Sequence, residues 1–290
     1  MVADTVPGER RKEVFATFLT GNNLGAVVGP ILGAWLFFDY REELLWSCAI
    51  VLLVYFIAIY IRFKETLPQD LVLASKGVAI SPLKELKSYF VIVSDKKFAY
   101  YLIAGIFSVI AIMQLDLYLA IYIYDEVPNQ LLFSKIELSS KEILGYMLGL
   151  NGILFVLFVL PVTKWLKNWR DKNVLILSCL LAGVGMFGVG LTTNVWLLFL
   201  LTIIFTFGEI TKSPVLYNFV SDYAPQNARA QYMAASNMQF TIGRFLAPVT
   251  VFLAQFFVPI VIFSFILVCA FVSLYFYLKL YSEMYRVHTQ

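Results

Sequence analysis

Eight stretches of this chain carry almost no charge: 14–37, 44–61, 98–124, 143–163, 174–193, 195–219, 232–257 and 260–278. Each is about 18 to 27 residues long, enough to cross a hydrocarbon core of roughly 30 Å. In lipid every backbone N–H and C=O must find its partner within the chain, so such runs read as helices. The composition agrees. The chain is 60% hydrophobic and 14% charged, with mean hydropathy +0.79, whereas a soluble domain carries roughly 25% charged residues. The expected fold class is an all-α integral membrane protein with eight spans. The border between the fifth and sixth spans rests on Asn194 alone.

Charge in the connecting loops sets an orientation. Seventeen of the 22 Lys and Arg residues fall on one side, in the segments around Arg10–Lys12, Arg62–Lys97, Lys164–Lys172, Arg229 and Lys279–Arg286. Three fall on the other: Arg41, Lys135 and Lys141. Positive loops favour the cytoplasm, so both termini are expected inside, with the protein multi-pass in the cell membrane. Acidic residues precede any apolar run, so no signal peptide is read at Met1. The longest basic-side loop, 64–97, reads as a linker with a short surface helix at 82–93. It divides the chain into 1–63 with two spans and 98–290 with six.

An internal repeat cuts across this division. Asp4-x-x-Pro7-x-x-x-Arg11, followed by Gly25 and Pro30, recurs 218 residues later as Asp222-x-x-Pro225-x-x-x-Arg229, Gly243 and Pro248. Ala16/Ala234 and Gly29/Ala247 match small residue for small at the same offset. Both copies place an acidic-Pro-basic turn before a long apolar run, the signature of a protein built from two related halves. The second copy precedes the last two of six spans, and the first precedes the only two on its side. Equal halves would put four more spans, on the order of 100–140 residues, before Met1.

Gly25-x3-Gly29-Pro30-x2-Gly33-Ala34 resembles the antiporter motif in the fifth helix of major facilitator superfamily transporters. Ala16 and Ala34 stand where the family pattern has glycine. Phe207-Gly208-Glu209, then Pro214 and Asp222-x-x-Pro225, is similar to the tenth helix and following loop of that family. The resemblance implies a major facilitator-type helical bundle in which the eight spans are helices five to twelve of twelve. It implies secondary active transport by alternating access, and the antiporter-like motif points to proton-driven efflux of a small amphipathic or drug-like molecule. The alternatives are a proton-coupled uptake symporter, or an inactive or regulatory membrane protein. The small-molecule substrate, the bilayer and the proton gradient are the expected partners. No cofactor, metal or nucleic acid is expected, and the protein is expected to be a monomer.

Polarity within the spans singles out residues. The second, fifth and eighth spans contain no Asp, Glu, Lys, Arg or His, as lipid-facing helices require, because a charge at bilayer depth costs at least ~3 kcal/mol. The third carries Gln114 and Asp116, the fourth Asn151, the sixth Glu209 and Lys212, and the seventh Arg244. Glu209 lies about 21 Å into its span at 1.5 Å per residue, past the midplane. These six are the substrate or coupling candidates. A simpler reading makes Glu209 with Lys212, or Glu209 with Arg244, a structural ion pair. Asp4, Arg11, Asp222 and Arg229 are candidates for helix caps or for bridges that break and form as the halves rock.

Enzymatic readings are excluded on several grounds. His288 is the only histidine, which argues against metal chemistry or a histidine base. Gly183-x-Gly185-x-x-Gly188 matches a dinucleotide fingerprint, but it sits mid-span with no strand before it, so close helix packing is expected instead. Cys48, Cys179 and Cys269 all fall within spans, where packing is their expected role.

Overall fold

The computed structural model describes residues 6–37, 40–62, 92, 94–132, 136–226 and 228–286. Asp4 and almost all of the 64–97 linker, including most of its expected surface helix, lie outside the described residues. Six helical passages among the described residues are long and apolar enough to cross a membrane. Among the described residues eleven α-helices run in order. They are α1 (Gly8–Phe37), α2 (Arg41–Arg62), α3 (Lys96–Ile112), α4 (Tyr118–Glu126), α5 (Ser140–Trp165), α6 (Asp171–Val189), α7 (Val195–Tyr223), α8 (Arg229–Ser236), α9 (Met238–Leu246), α10 (Val249–Leu253) and α11 (Pro259–Arg286).

Side-chain caps set three of the boundaries. Asp95 caps α3, accepting from the N–H of Lys97 at 3.0 Å and of Phe98 at 3.3 Å. Ser139 and Glu142 form a reciprocal capping box at the start of α5. Asn194, the sole border between two expected spans, caps α7 by accepting from the N–H of Trp196 at 3.0 Å and of Leu197 at 3.3 Å. A side chain that ends one helix and starts the next needs no charge beside it.

Three features depart from the sequence reading. The seventh span is not one helix but α8, α9 and α10, broken at Asn237 and again at Ala247–Pro248. Proline has no N–H to give and crowds the carbonyl four residues back, so Pro248 starts α10 instead of extending α9. The third span is one passage, Lys96–Glu126, interrupted by a 3-10 turn at Met113–Leu115 and a break at Asp116–Leu117. A short antiparallel ribbon, Gln130–Leu132 with Ile136–Leu138, adds strand to an otherwise helical fold. The first span is helical throughout, but Gly, Asn and Pro dilute its hydrophobicity, and it is not among the six.

α6 and α7 form the closest pair. A Cβ on Gly208 would stand 2.5 Å from the backbone N of Ala182, and one on Gly185 would stand 2.7 Å from the backbone N of Phe205. Gly183 and Gly188 likewise lie against Ala270 and Leu201, so the glycine run of α6 is a packing surface. α11 lies on α3 and α6, α5 on α7, and α9 on α3. α1 docks against α5 and α7, while α2 packs mainly on α1 and buries none of its residues. Of the cysteines, Cys179 and Cys269 are buried and Cys48 is exposed.

Candidate functional site

α1, α3, α5, α7 and α9 surround a cavity of about 420 Å³, within the range of roughly 300–1,000 Å³ usual for small-molecule sites. Leu19, Val109, Phe155, Leu216 and Phe240 give it apolar walls, and Asn22, Asn23, Asn237 and Thr241 give it uncharged polar ones. Its charged residues are Glu209, Lys212 and Arg244. The expected coupling residues of the sixth and seventh spans therefore meet at one place, although α7 and α9 approach it from different sides.

Glu209 and Lys212 do not form the expected ion pair. Asn151 Nδ2 on α5 donates to Glu209 Oε2 at 2.7 Å and to Thr206 Oγ1 at 3.0 Å. Lys212 Nζ donates to Ser108 Oγ on α3. Neither Lys212 nor Arg244 comes within ion-pair distance of Glu209 among the described residues. A spacing of three puts two side chains on one face, but a neighbouring helix that offers a polar group can claim each of them first. Ser108 and Thr206 were not picked out from the sequence, since single hydroxyls in apolar runs commonly bond to their own helix.

The two remaining candidates lie elsewhere. Gln114 is fully buried. Its Nε2 donates to Ile110 O at 2.8 Å and to Ala247 O at 3.2 Å, and its Oε1 accepts from Thr250 Oγ1 at 2.6 Å. It braces the break before α10 and does not line the cavity. Asp116 is exposed at the break between α3 and α4 and is likewise not part of the cavity wall.

At the lysine-rich end of the bundle the two repeat copies touch. Arg11 Nη1 on α1 donates to Asp222 Oδ1 at the end of α7, 2.5 Å away, and Asn218 Nδ2 holds the other oxygen of Asp222 at 2.9 Å. Lys12 pairs with Asp171, Lys164 with Glu13 at 3.4 Å, and Phe15 stacks on Tyr217 with ring centroids 5.5 Å apart. α1 is thus clamped to α5, α6 and α7 beneath the cavity. Asp222 bridges and does not cap, because α8 starts at Ala228 without a side-chain cap. Arg229 is half-buried at the start of α8. Gly25 has nothing within 4 Å of an added Cβ, and Gly29, Pro30 and Gly33 continue the same helix.

Comparison with known proteins places this arrangement. The chain is 32% identical over 260 residues to a Na(+), Li(+), K(+)/H(+) antiporter of Planococcus maritimus, covering 87% of this chain and 61% of that protein. It is 24% identical over 241 residues to the multidrug resistance protein MdtH of Proteus mirabilis, covering 82% and 54% respectively. The chain therefore spans little more than half the length of these curated relatives. Among solved structures, the human organic anion transporter MFSD10 superposes with a TM-score of 0.73 at 16% identity, covering 95% of this chain and 66% of that one. The transporter FucP in its outward conformation gives 0.66 at 16% identity, covering 96% and 70%. The sequence profile of the Major Facilitator Superfamily matches residues 1–248, and the chain belongs to that superfamily.

Proposed function

We propose that this chain is part of a secondary active transporter that works by alternating access and exports a small cationic or amphipathic solute in exchange for protons. The observation that carries this reading is the clamp between the repeat copies, Arg11 on Asp222, lying below a cavity with Glu209 in its wall. A seam of exposed and half-exposed ion pairs can open at modest cost, since each such pair contributes about 0–1 kcal/mol. A cavity closed on one side by such a seam is the geometry that alternating access requires.

Glu209 suits proton coupling because its hydrogen-bond partner, Asn151, is neutral. A carboxylate held by an amide can take up a cation in exchange for a proton released from the site, without displacing a bonded cation. In the twelve-helix plan, residues 1–63 supply two helices of one half, 64–97 the linker and 98–290 the other half. With both termini cytoplasmic, the clamped end faces inward and the cavity outward. The name of the Planococcus maritimus relative supports antiport over uptake, and that of MdtH fits a drug-like solute.

The test uses inside-out vesicles carrying the protein and a respiration-driven pH gradient followed by a quenched dye. Addition of Na+, K+ or an organic cation is expected to dissipate part of the gradient, and Glu209→Gln is expected to remove that response. Identical traces from vesicles with and without the protein would overturn the reading.

A further inference from the structure

Lys212 is left over by the transport reading. It is only 4% exposed, its ammonium bonds to the Ser108 hydroxyl, and no carboxylate comes within ion-pair distance among the described residues. One neutral hydroxyl is poor compensation for a group with three N–H donors, because buried charges normally persist only when paired. Yet Lys212 lines the cavity, so a proton has a route to and from it.

One turn earlier on the same helix, Glu209 borders that cavity too. Asn151 reaches both Glu209 Oε2 and Thr206 Oγ1. The two ends of an amide exchange places by rotation, so Asn151 can present its oxygen where its nitrogen now stands. The carboxylate, the amide oxygen and the Thr206 hydroxyl then form a hard, all-oxygen donor set shared by α5 and α7, the chemistry that alkali cations prefer.

We propose, building on the transport reading of this site, that Glu209, Asn151 and Thr206 seat a small monovalent metal cation, and that Lys212 carries the proton it displaces. The cation arrives on the carboxylate. An N–H bond of the Lys212 ammonium breaks, its electron pair stays on nitrogen, and the proton leaves through cavity water. The charge of the site is the same before and after, so neither state leaves a second uncompensated cation beside Glu209.

The other charged or titratable groups around Lys212 are few. Cys179 on α6 lies close enough to act on it electrostatically. Arg244 on α9 stands on the same cavity, and Asp116 acts on Glu209 from beyond α3. Tyr217 lies one turn on along α7 at the cavity wall, and the buried Tyr277 on α11 acts electrostatically with Cys179. α1 contributes only the neutral Asn22 and Asn23 to the cavity's polar wall, and Asn151 of α5 reaches the site through its hydrogen bond to Glu209.

The experiment follows proton release from the purified, weakly buffered 290-residue chain as NaCl, LiCl or KCl replaces choline chloride at constant ionic strength. Binding of radioactive Na+ is measured alongside. The native chain is expected to release about one proton per cation bound, with apparent Kd rising about tenfold per unit of acidification while Lys212 is protonated. Lys212→Gln is expected to bind Na+ with no proton release and no pH dependence. Lys212→Arg, whose charge cannot leave, is expected to bind weakly at every pH, and Glu209→Gln not at all.

A merely structural lysine predicts the reverse order, with Arg restoring the native behaviour and Gln failing. That order, or no Na+ binding by the native chain, overturns the proposal. Proton-coupled flux in vesicles without Na+ binding would spare the transport reading and remove this site. Na+-linked proton release without flux would do the opposite.

Discussion

The two copies of the repeat share their spacing and differ in nearly everything built on it. The first copy runs into α1, one helix of 30 residues. The second runs into α8, α9 and α10, broken at Asn237 and at Ala247–Pro248. Gly25 has open space where a Cβ would stand. Its counterpart Gly243 would put that Cβ 2.6 Å from Val109 Cβ and 3.1 Å from Ile106 O on α3. Gly21 in the first copy corresponds to Gln239 in the second, which donates to Tyr101 OH at 3.0 Å. A shared spacing therefore fixes where a helix can approach closely. Whether a helix does so, and where the backbone breaks, depends on which neighbours surround each copy.

The most severe way to break this comparison is to add one carbon at each glycine. Gly243→Ala is expected to destabilise the chain by about 1–3 kcal/mol, because Val109 meets the new methyl at the branch of its side chain and not at a flexible tip. Gly25→Ala is expected to be neutral, or stabilising by up to ~1 kcal/mol, since a helical glycine with no packing role only adds entropy to the unfolded chain. Thermal unfolding in detergent reads both as a large fall in Tm against little or none. Equal shifts would mean that the glycines serve the same purpose in both copies.

A smaller effect sharpens the contrast at the break. Ala247 O, left by the interrupted helix, accepts from Gln114 Nε2 at 3.2 Å and from Thr250 Oγ1 at 3.0 Å. Gln114→Leu is expected to cost about 1–2 kcal/mol, within the range of a buried hydrogen bond lost in a membrane protein. Cation binding and proton release should persist in this variant, because Gln114 is not among the residues that line the cavity. Loss of binding with unchanged Tm would return Gln114 to the substrate site, where its polarity in an apolar run first suggested it belonged.

Much of the architecture was legible because membrane helices announce themselves by length and by their charged borders. Asn194 was legible as a border, and its capping geometry explains why one uncharged residue suffices. The break in the seventh span was not, because one of the two side chains that satisfy its freed carbonyl, Gln114, comes from the 3-10 turn after α3, 133 positions away. The cavity was legible only as a set of polar residues. Glu209 and Lys212 share a helix face, but Asn151 and Ser108, on two other helices, decide what each bonds to. In the same way Arg11 was legible as a cap or a bridge, and only the fold shows that its partner is Asp222 of the other copy.

That cross-copy contact supports the smallest and most specific prediction. The Arg11 and Asp222 side chains are 15% and 53% exposed, so solvent screens the pair and removing it should change the balance between closed and open ends by no more than about 1 kcal/mol, roughly fivefold in population. Spin labels at the exposed positions Glu9 and Gln226 report the distance across the clamp. Asp222→Arg alone should broaden that distance toward longer values, since it sets two guanidinium groups against each other. Arg11→Asp alone should do the same with two carboxylates, leaving Asn218 to hold only one of them. The combined exchange should recover most of the native distribution, because an ion pair is indifferent to which copy supplies which sign. If both single variants keep the native distance, the clamp is held by Lys12 on Asp171 and by the Phe15–Tyr217 stack, and the symmetry between the repeat copies is a relic of descent with no part in closing the bundle.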